Sequence, residues 1–441
     1  MYVPQTSDDR RAMLDAIGVK DIRSLYDSVP DSIYLNRPLD LPKGRPEYAV
    51  SRMMEAYAEN NRRYRAILRG AGAYDRYTPA IVRRVAAKED FITAYTPYQA
   101  EVSQGVLQSI FEYQTMICAL TGMDVSNASV YDGATAAAEA CAMCRERGKT
   151  GVLISESVHP QVREVVATYV ESATGERPTL IPTVGGMTDA DALSKLLSTE
   201  TACVLTQQPN FYGLIEDAEK LADLAHSAGS RYIMSVDPTS LGVMKTPREY
   251  GADIAVGDGQ PLGLGLSFGG PSLGFMTCVS SLTRRLPGRI VGETVDNEGR
   301  RCYVLTLQAR EQHIRREKAQ SNICSNQALC ALTASVYLAS MGAEGLRRAA
   351  CLSMTGARTL LRLLTEIPGI TRAFPGEFFD EFVTFVPDSG RISDILEKNN
   401  ILGGLPLTID DKPAILWCVT ETVSEDVLHR TAQLVRKAVE G

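Results

Sequence analysis

Between residues 151 and 258 the chain alternates short apolar runs with amphipathic stretches. Gly151-Val152-Leu153-Ile154-Ser155, Pro178-Thr179-Leu180-Ile181, Ala202-Cys203-Val204-Leu205-Thr206 and Tyr232 to Val236 are nearly continuous in apolar residues. Runs of that length without polar alternation predict strands covered on both faces. The stretches between them, Glu216 to Ala228 for example, carry helical spacing. Strand and helix in turn predict an α/β domain, a mainly parallel sheet with helices on both sides. Ligands of such sheets gather at the carboxyl ends of the strands. Those ends carry Ser155 to His159, Gln207 to Asn210, and Asp237.

The flanks read differently. Residues 1 to about 70 are polar and helical, with a short amphipathic helix at Asp21 to Tyr26 and an extended connection marked by Pro38, Pro42 and Pro46. Such an arm has too few apolar residues for a core of its own and is expected to wrap another domain or subunit. A polar loop, Tyr95 to Gly105, then leads into a helix with apolar positions Leu107, Ile110, Phe111, Ile117 and Leu120, stopped by Gly122. Beyond residue 330 a helix from Glu344 to Glu366 precedes a strand at Glu381 to Val386. A helix at Ile392 to Asn399, a strand at Ala414 to Val419 and a helix at Ser424 to Val439 follow, which predicts a compact α+β unit. The expected organisation is an arm (1–70), a large α/β domain (71–330) and a small C-terminal α+β domain (331–441).

Composition narrows the function classes. Among 441 residues, 46 Lys and Arg face 53 Asp and Glu, a net charge of −7 that does not favour nonspecific nucleic-acid binding. Ten cysteines without close pairing suit reduced thiols in a cytoplasm. Asp8 and Asp9 argue against a transit peptide, and no run of eighteen apolar residues predicts a membrane span. His159, His226, His313 and His429 are too scattered to suggest a metal site.

Several stretches carry candidate chemistry. Asp132-Gly133-Ala134-Thr135 opens an alanine-rich helix. Thr135 and the N–H groups beside it suit a phosphate, and capping by Asp132 is the plainer alternative. His159, just past a strand, is placed to stack on a planar cofactor or to be an ordinary loop residue. Asp237 at a strand end needs a partner if buried, or caps the turn Pro238-Thr239-Ser240. Tyr95, Tyr98 and Gln99 form either a solvated helix entry or one wall of an active site. Cys141 and Cys144 lie inside a helix, not at its start, which argues against a redox dithiol. Around His313, Arg310, Arg315 and Arg316 alternate with acids, favouring a solvated or salt-bridged face over an anion site.

The spacing of two strands resembles a large class of pyridoxal phosphate enzymes. There an Asp ending one strand pairs with the pyridine nitrogen, and a second strand some twenty residues later delivers the Schiff-base Lys. Here Asp237 is present, and Ala252 to Pro261 supplies the second strand. The Lys is missing: Lys245 lies only eight residues past Asp237, and the next is Lys318.

Four longer motifs, Thr96 to Gly105, Tyr131 to Ala136, Phe268-Gly269-Gly270-Pro271, and Arg310 to Glu317 with Ser321 to Cys324, together resemble the glycine decarboxylase P-protein family of the glycine cleavage system. The resemblance covers nearly the whole chain and is to the N-terminal-half type, called subunit 1 or alpha. It implies the aspartate-aminotransferase-like (fold type I) architecture of pyridoxal phosphate enzymes. It also implies a beta subunit that carries the cofactor and its Lys, and an alpha2beta2 heterotetramer. The implied reaction is glycine decarboxylation with transfer of the aminomethyl group to the lipoyl arm of H-protein. Under that resemblance Thr135, His159 and Asp237 are vestigial cofactor-site residues, and Tyr95, Tyr98 and Gln99 a wall of the active site. Two other readings stay open: an autonomous pyridoxal phosphate enzyme of aminotransferase or desulfurase type, and a catalytically inert scaffold of the same fold.

Overall fold

In a computed structural model, which describes residues 4–308, 312–319, 321–323 and 325–441, the apolar runs form the middle of a seven-stranded sheet. Its order is Val125–Ser126, Gly274–Cys278, Ile254–Asp258, Arg231–Val236, Thr201–Gln208, Gly151–Ser155 and Thr179–Ile181. The last five strands run parallel to their neighbours. Gly274–Cys278 (Gly-Phe-Met-Thr-Cys), buried throughout, runs antiparallel to Ile254–Asp258 and is not among the strands expected from sequence; its one β-branched residue, Thr277, gives it less β-branched density than the others.

Helix Gly133–Cys144 packs against this sheet and against helix Pro160–Thr174. Ten of its twelve residues are buried, and its alanines permit the close approach. The chain segment leading into the helix also crosses closely at Gly274, where a Cβ would lie 2.3 Å from the Asp132 carbonyl oxygen. The segment that starts the helix is therefore pinned to the beginning of strand Gly274–Cys278.

A second core surrounds a four-stranded antiparallel sheet in the order Thr371–Arg372, Glu381–Phe385, Lys412–Cys418, Leu405–Ile409, covered by helices Ser389–Lys398 and Glu425–Glu440. Trp417 fills it, fully buried, with its indole N–H donated to Thr384 Oγ1 at 2.9 Å. Helix Ala328–Thr365 serves both cores. Ala331, Ala334 and Tyr337 join the first, and Ala357, Leu360 and Leu364 the second. Between them Gly342 breaks the helix with φ 61 and ψ 179, a conformation costly for any residue with a Cβ. The sequence reading began this helix at Glu344; the turns before the break are helical as well. By length and composition this helix is apolar enough to cross a membrane, but its apolar residues are shared between the two cores.

The chain clusters into two units, Met1–Arg62 and Arg63–Gly441. In the first, helices Ser7–Ile17 and Glu47–Glu59 and the 3-10 turn Ile22–Tyr26 bury no residue. A capping box between Thr6 and Asp9 and a left-handed Gly18 define the first helix. In the second unit we propose a division near residue 330, with Ala328–Thr365 as the seam between a large and a small domain.

Candidate functional site

The carboxyl ends of the parallel strands open into a cavity of about 410 Å³. His159, Gln207, Asn210 and Asp237 reach it from the strand ends, and Asp132 and Gly133 from the start of the buried helix. Asp258 and Gln260 close it below the Gly-rich loop, and Asp380 and Glu381 reach it from the small sheet. Of the three cofactor-site candidates read from sequence, the fold brings His159 and Asp237 together here. Thr135 is buried one turn into the helix and does not line the cavity.

Asp237 is engaged on both oxygens. One accepts the Thr239 N–H at 2.8 Å, and the other lies 3.5 Å from the Arg76 guanidinium. The turn-capping reading and the charge-pairing reading of Asp237 therefore hold at once. Arg76, which nothing in the sequence singled out, also pairs with Asp380 at 2.6 Å and Glu421 at 3.0 Å, with its side chain only 2% exposed. One cation thus serves three carboxylates. Burial pushes Asp237 up, and Asp380 up to about 7, against the pull of Arg76. Burial opposes the charge on Arg76 too, but Asp380, Asp237 and Glu421 outweigh it and hold the guanidinium protonated.

Glu381 completes the acidic wall. It accepts the Ala71 N–H at 2.7 Å and the Tyr74 hydroxyl at 2.9 Å. Burial, followed by the neighbouring charge of Asp380, raises its pKa to about 8. Gln260 ties the same segment down, accepting the Tyr74 N–H and donating to the Tyr74 carbonyl.

His159 is an N-cap. Its Nδ1 accepts the Gln161 N–H at 3.2 Å, so its proton sits on Nε2, which donates to the Ala71 carbonyl at 2.9 Å. Burial lowers its pKa and keeps the ring neutral. The ring meets Phe211 edge-on at 5.1 Å.

At the helix start two of the donors are already taken. Asp132 accepts the Thr135 N–H at 2.7 Å, and Asp258 accepts the Gly133 N–H at 3.0 Å. Asp258 also accepts the Gln260 N–H and the Ser272 hydroxyl. An N-terminus that suits an anion is thus occupied by carboxylates of the chain itself.

These residues do not fit pyridoxal phosphate. A phosphate brought to the Gly133 N–H would face the Asp258 and Asp132 carboxylates. A pyridine nitrogen would compete with Arg76 for Asp237. Among the described residues no lysine lines the cavity. Lys245 instead stands on the surface, paired with Glu219.

The tyrosine loop points elsewhere. Tyr95 is 85% exposed and Tyr98 63% exposed, and neither lines the strand-end cavity. Gln99, also exposed, precedes the 3-10 turn Ala100–Val102. Behind the loop, Arg289 donates weakly to the Tyr98 hydroxyl at 3.4 Å. Phe268, in the Gly-rich loop at the cavity mouth, is 96% exposed. Cys141 and Cys144 are buried inside their helix and meet Cys203. Hydrogen bonds from Cys141 and Cys144, together with burial, push the Cys203 thiol well up, the reverse of a reactive thiolate. Arg310 lies outside the described residues, while Arg315 lines a second cavity. Among the described residues no group of three or more His, Cys, Asp or Glu is placed to hold a metal ion.

Comparison with known proteins agrees with this geometry. The family model described as glycine cleavage system P-protein matches residues 1–435. A Carboxydothermus hydrogenoformans protein named probable glycine dehydrogenase (decarboxylating) subunit 1 is 47% identical, over 98% of this chain and 99% of its own. Its Moorella thermoacetica namesake is 47% identical over 99% of both chains. A crystal structure of glycine decarboxylase (P-protein) of the glycine cleavage system, in inhibitor-bound form, superposes with a TM-score of 0.91 at 43% identity, over 99% of this chain and 100% of that one. An aspartate aminotransferase from Thermus thermophilus superposes at 0.60 with 13% identity, over 85% of this chain and 99% of that one, a likeness of fold alone. The architecture is that of the pyridoxal phosphate-dependent fold type I enzymes.

Proposed function

The chain belongs to the glycine cleavage system P-protein family, and from that premise we propose that it is the alpha subunit of a glycine dehydrogenase (decarboxylating). The observation that carries this reading is the strand-end cavity. It stands where a fold type I enzyme holds its cofactor, yet its polar groups pair with one another and it offers no lysine among the described residues. The name subunit 1 borne by the relatives implies a partner subunit. In our reading the partner is a homologous beta subunit that holds pyridoxal phosphate on its own lysine. That cofactor supplies the electron sink when glycine loses its carboxylate. Two chains of each kind form the working enzyme in the cytoplasm, and the lipoyl arm of H-protein receives the aminomethyl group.

The part left to this chain is structural and bordering. Tyr95, Tyr98 and Gln99 are held out from the surface by a Pro-containing loop, away from their own cavity. We place them over the partner's active site, where their rings exclude water and their polar tips orient the bound amino acid. Tyr98→Ala then lowers glycine–bicarbonate exchange about tenfold, or about 1.4 kcal/mol of transition-state stabilisation. Light scattering on the same preparation shows an unchanged heteromer. Full activity in an intact complex would place the loop away from the chemistry.

The wider reading is tested by borohydride reduction of the chain with pyridoxal phosphate, followed by peptide mass spectrometry. The chain alone acquires no stoichiometric adduct, whereas the co-expressed pair acquires one on the partner and gains exchange activity. A stoichiometric adduct on Lys245 would favour the autonomous enzyme. A partner as active without this chain as with it would favour the inert scaffold.

A further inference from the structure

A second cavity, of about 600 Å³, opens at the far end of the buried helix Gly133–Cys144. Its walls come from three separate parts of the chain. Arg145 and Arg147 follow the helix, Arg284 and Arg285 end the 3-10 turn Ser280–Arg285, and Arg315 and Lys318 come from the segment whose alternating charges predict a solvated or salt-bridged face. Six cationic side chains converge there against two carboxylates, Glu139 and Glu146.

The two carboxylates do not pair with every one of these cations. Glu146 pairs with Arg285 at 2.6 Å, and Arg285 also donates to the Arg145 carbonyl, so this guanidinium is fixed in place. Glu139 is buried and hydrogen-bonded to Ser321, and burial raises its pKa to about 7. Arg147, Arg284 and Lys318 have no ion-pair partner among the described residues. Gathering like charges at one concave site costs repulsion, the more conspicuous on a chain whose net charge is −7. A bound anion removes that cost.

The rest of the lining defines what kind of anion. Met143, Leu286, Pro287 and Ile323 give the cavity an apolar, buried side opposite its charged rim. The volume lies in the range of small-molecule sites, too large for a single inorganic phosphate. Five of the six cations are arginines, whose planar forks bind phosphate oxygens in pairs. We propose that this cavity binds an organic polyphosphate of nucleotide class, its phosphates on the arginine rim and its ring against the apolar side. The site is separate from the strand-end cavity, and no residue lines both.

Isothermal titration of the full chain, purified with its partner subunit, tests the proposal with ADP as the probe. Pyrophosphate and adenosine serve as the charged and apolar halves of that probe. ADP binds at one site per chain, pyrophosphate more weakly and adenosine not measurably, and raising the salt concentration weakens binding. The double variant Arg147→Ala, Arg284→Ala loses at least about tenfold in ADP affinity with an unchanged circular dichroism spectrum. Should that variant misfold, the exposed single changes Arg147→Gln and Lys318→Met each weaken binding severalfold. No binding of either ADP or pyrophosphate overturns the proposal. So does an ADP affinity unchanged by these substitutions. Tight capture of polyglutamate that neither ADP nor pyrophosphate displaces also overturns it, and assigns the surface to an acidic protein.

Discussion

Two cavities flank the same buried helix with opposite electrostatics. At the amino end of Gly133–Cys144, Asp132, Asp237, Asp258, Asp380 and Glu381 line the cavity. Arg76, the backbone N–H groups of Ala71 and Gly133 and the Tyr74 hydroxyl already answer them. At the carboxyl end six cations meet two carboxylates, and three of the cations are unpaired among the described residues. Volume alone would rank both as binding sites. What separates them is pairing: the carboxylates of the first cavity each meet a donor of the chain itself, while three cations of the second have no ion-pair partner among the described residues.

The comparison breaks first at Arg76. Arg76→Met leaves Asp237, Asp380 and Glu421 without their cation in a buried site, and we expect a loss of about 3–5 kcal/mol in denaturant unfolding. Arg284→Ala, at the unpaired rim of the other cavity, is the matching control and changes stability by less than about 0.5 kcal/mol. A mild Arg76 variant would mean that water or protonation meets those carboxylates, and the first cavity would no longer count as internally satisfied.

A smaller effect sharpens the same contrast. Burial and the neighbouring Asp380 raise the folded-state pKa of Glu381 to about 8. Its protonated form is the one the fold prefers. The contribution of Glu381 is therefore fully present below the ordinary carboxyl range and is lost as pH rises towards about 8. Thermal unfolding across that window should show stability falling with pH in the native chain, and falling less in Glu381→Gln. Parallel curves for the two proteins would show that Glu381 does not titrate there.

The sequence made legible what depends on local pattern. The strand runs from Gly151 to Val236 became parallel strands because uninterrupted apolar residues can be buried only between two layers. Asp237 was found for a related reason, since a carboxylate at the end of such a strand is forced into a functional or capping role. Strand Gly274–Cys278 is less legible, because its short Gly-Phe-Met-Thr-Cys run holds a single β-branched residue and follows a Gly-rich loop. Arg76 and Glu381 are less legible as well. They lie in segments with no motif of their own, and 304 residues separate Arg76 from Asp380.

The chain's own order of residues determined the family motifs, the alternation of strand and helix, and the absence of a lysine between Lys245 and Lys318. Only the tertiary structure decided which charges meet. It closed Arg76 onto three carboxylates, set Asp258 on the helix start that a phosphate would need, and turned Tyr95 and Tyr98 outwards. It also brought Arg315 and Lys318 from a run that reads as a solvated face to the rim already held by Arg147 and Arg284. Pattern along a chain reports how each residue meets solvent. Charge complementarity depends on distances of a few ångströms between residues far apart in sequence, and those distances exist only once the chain has packed.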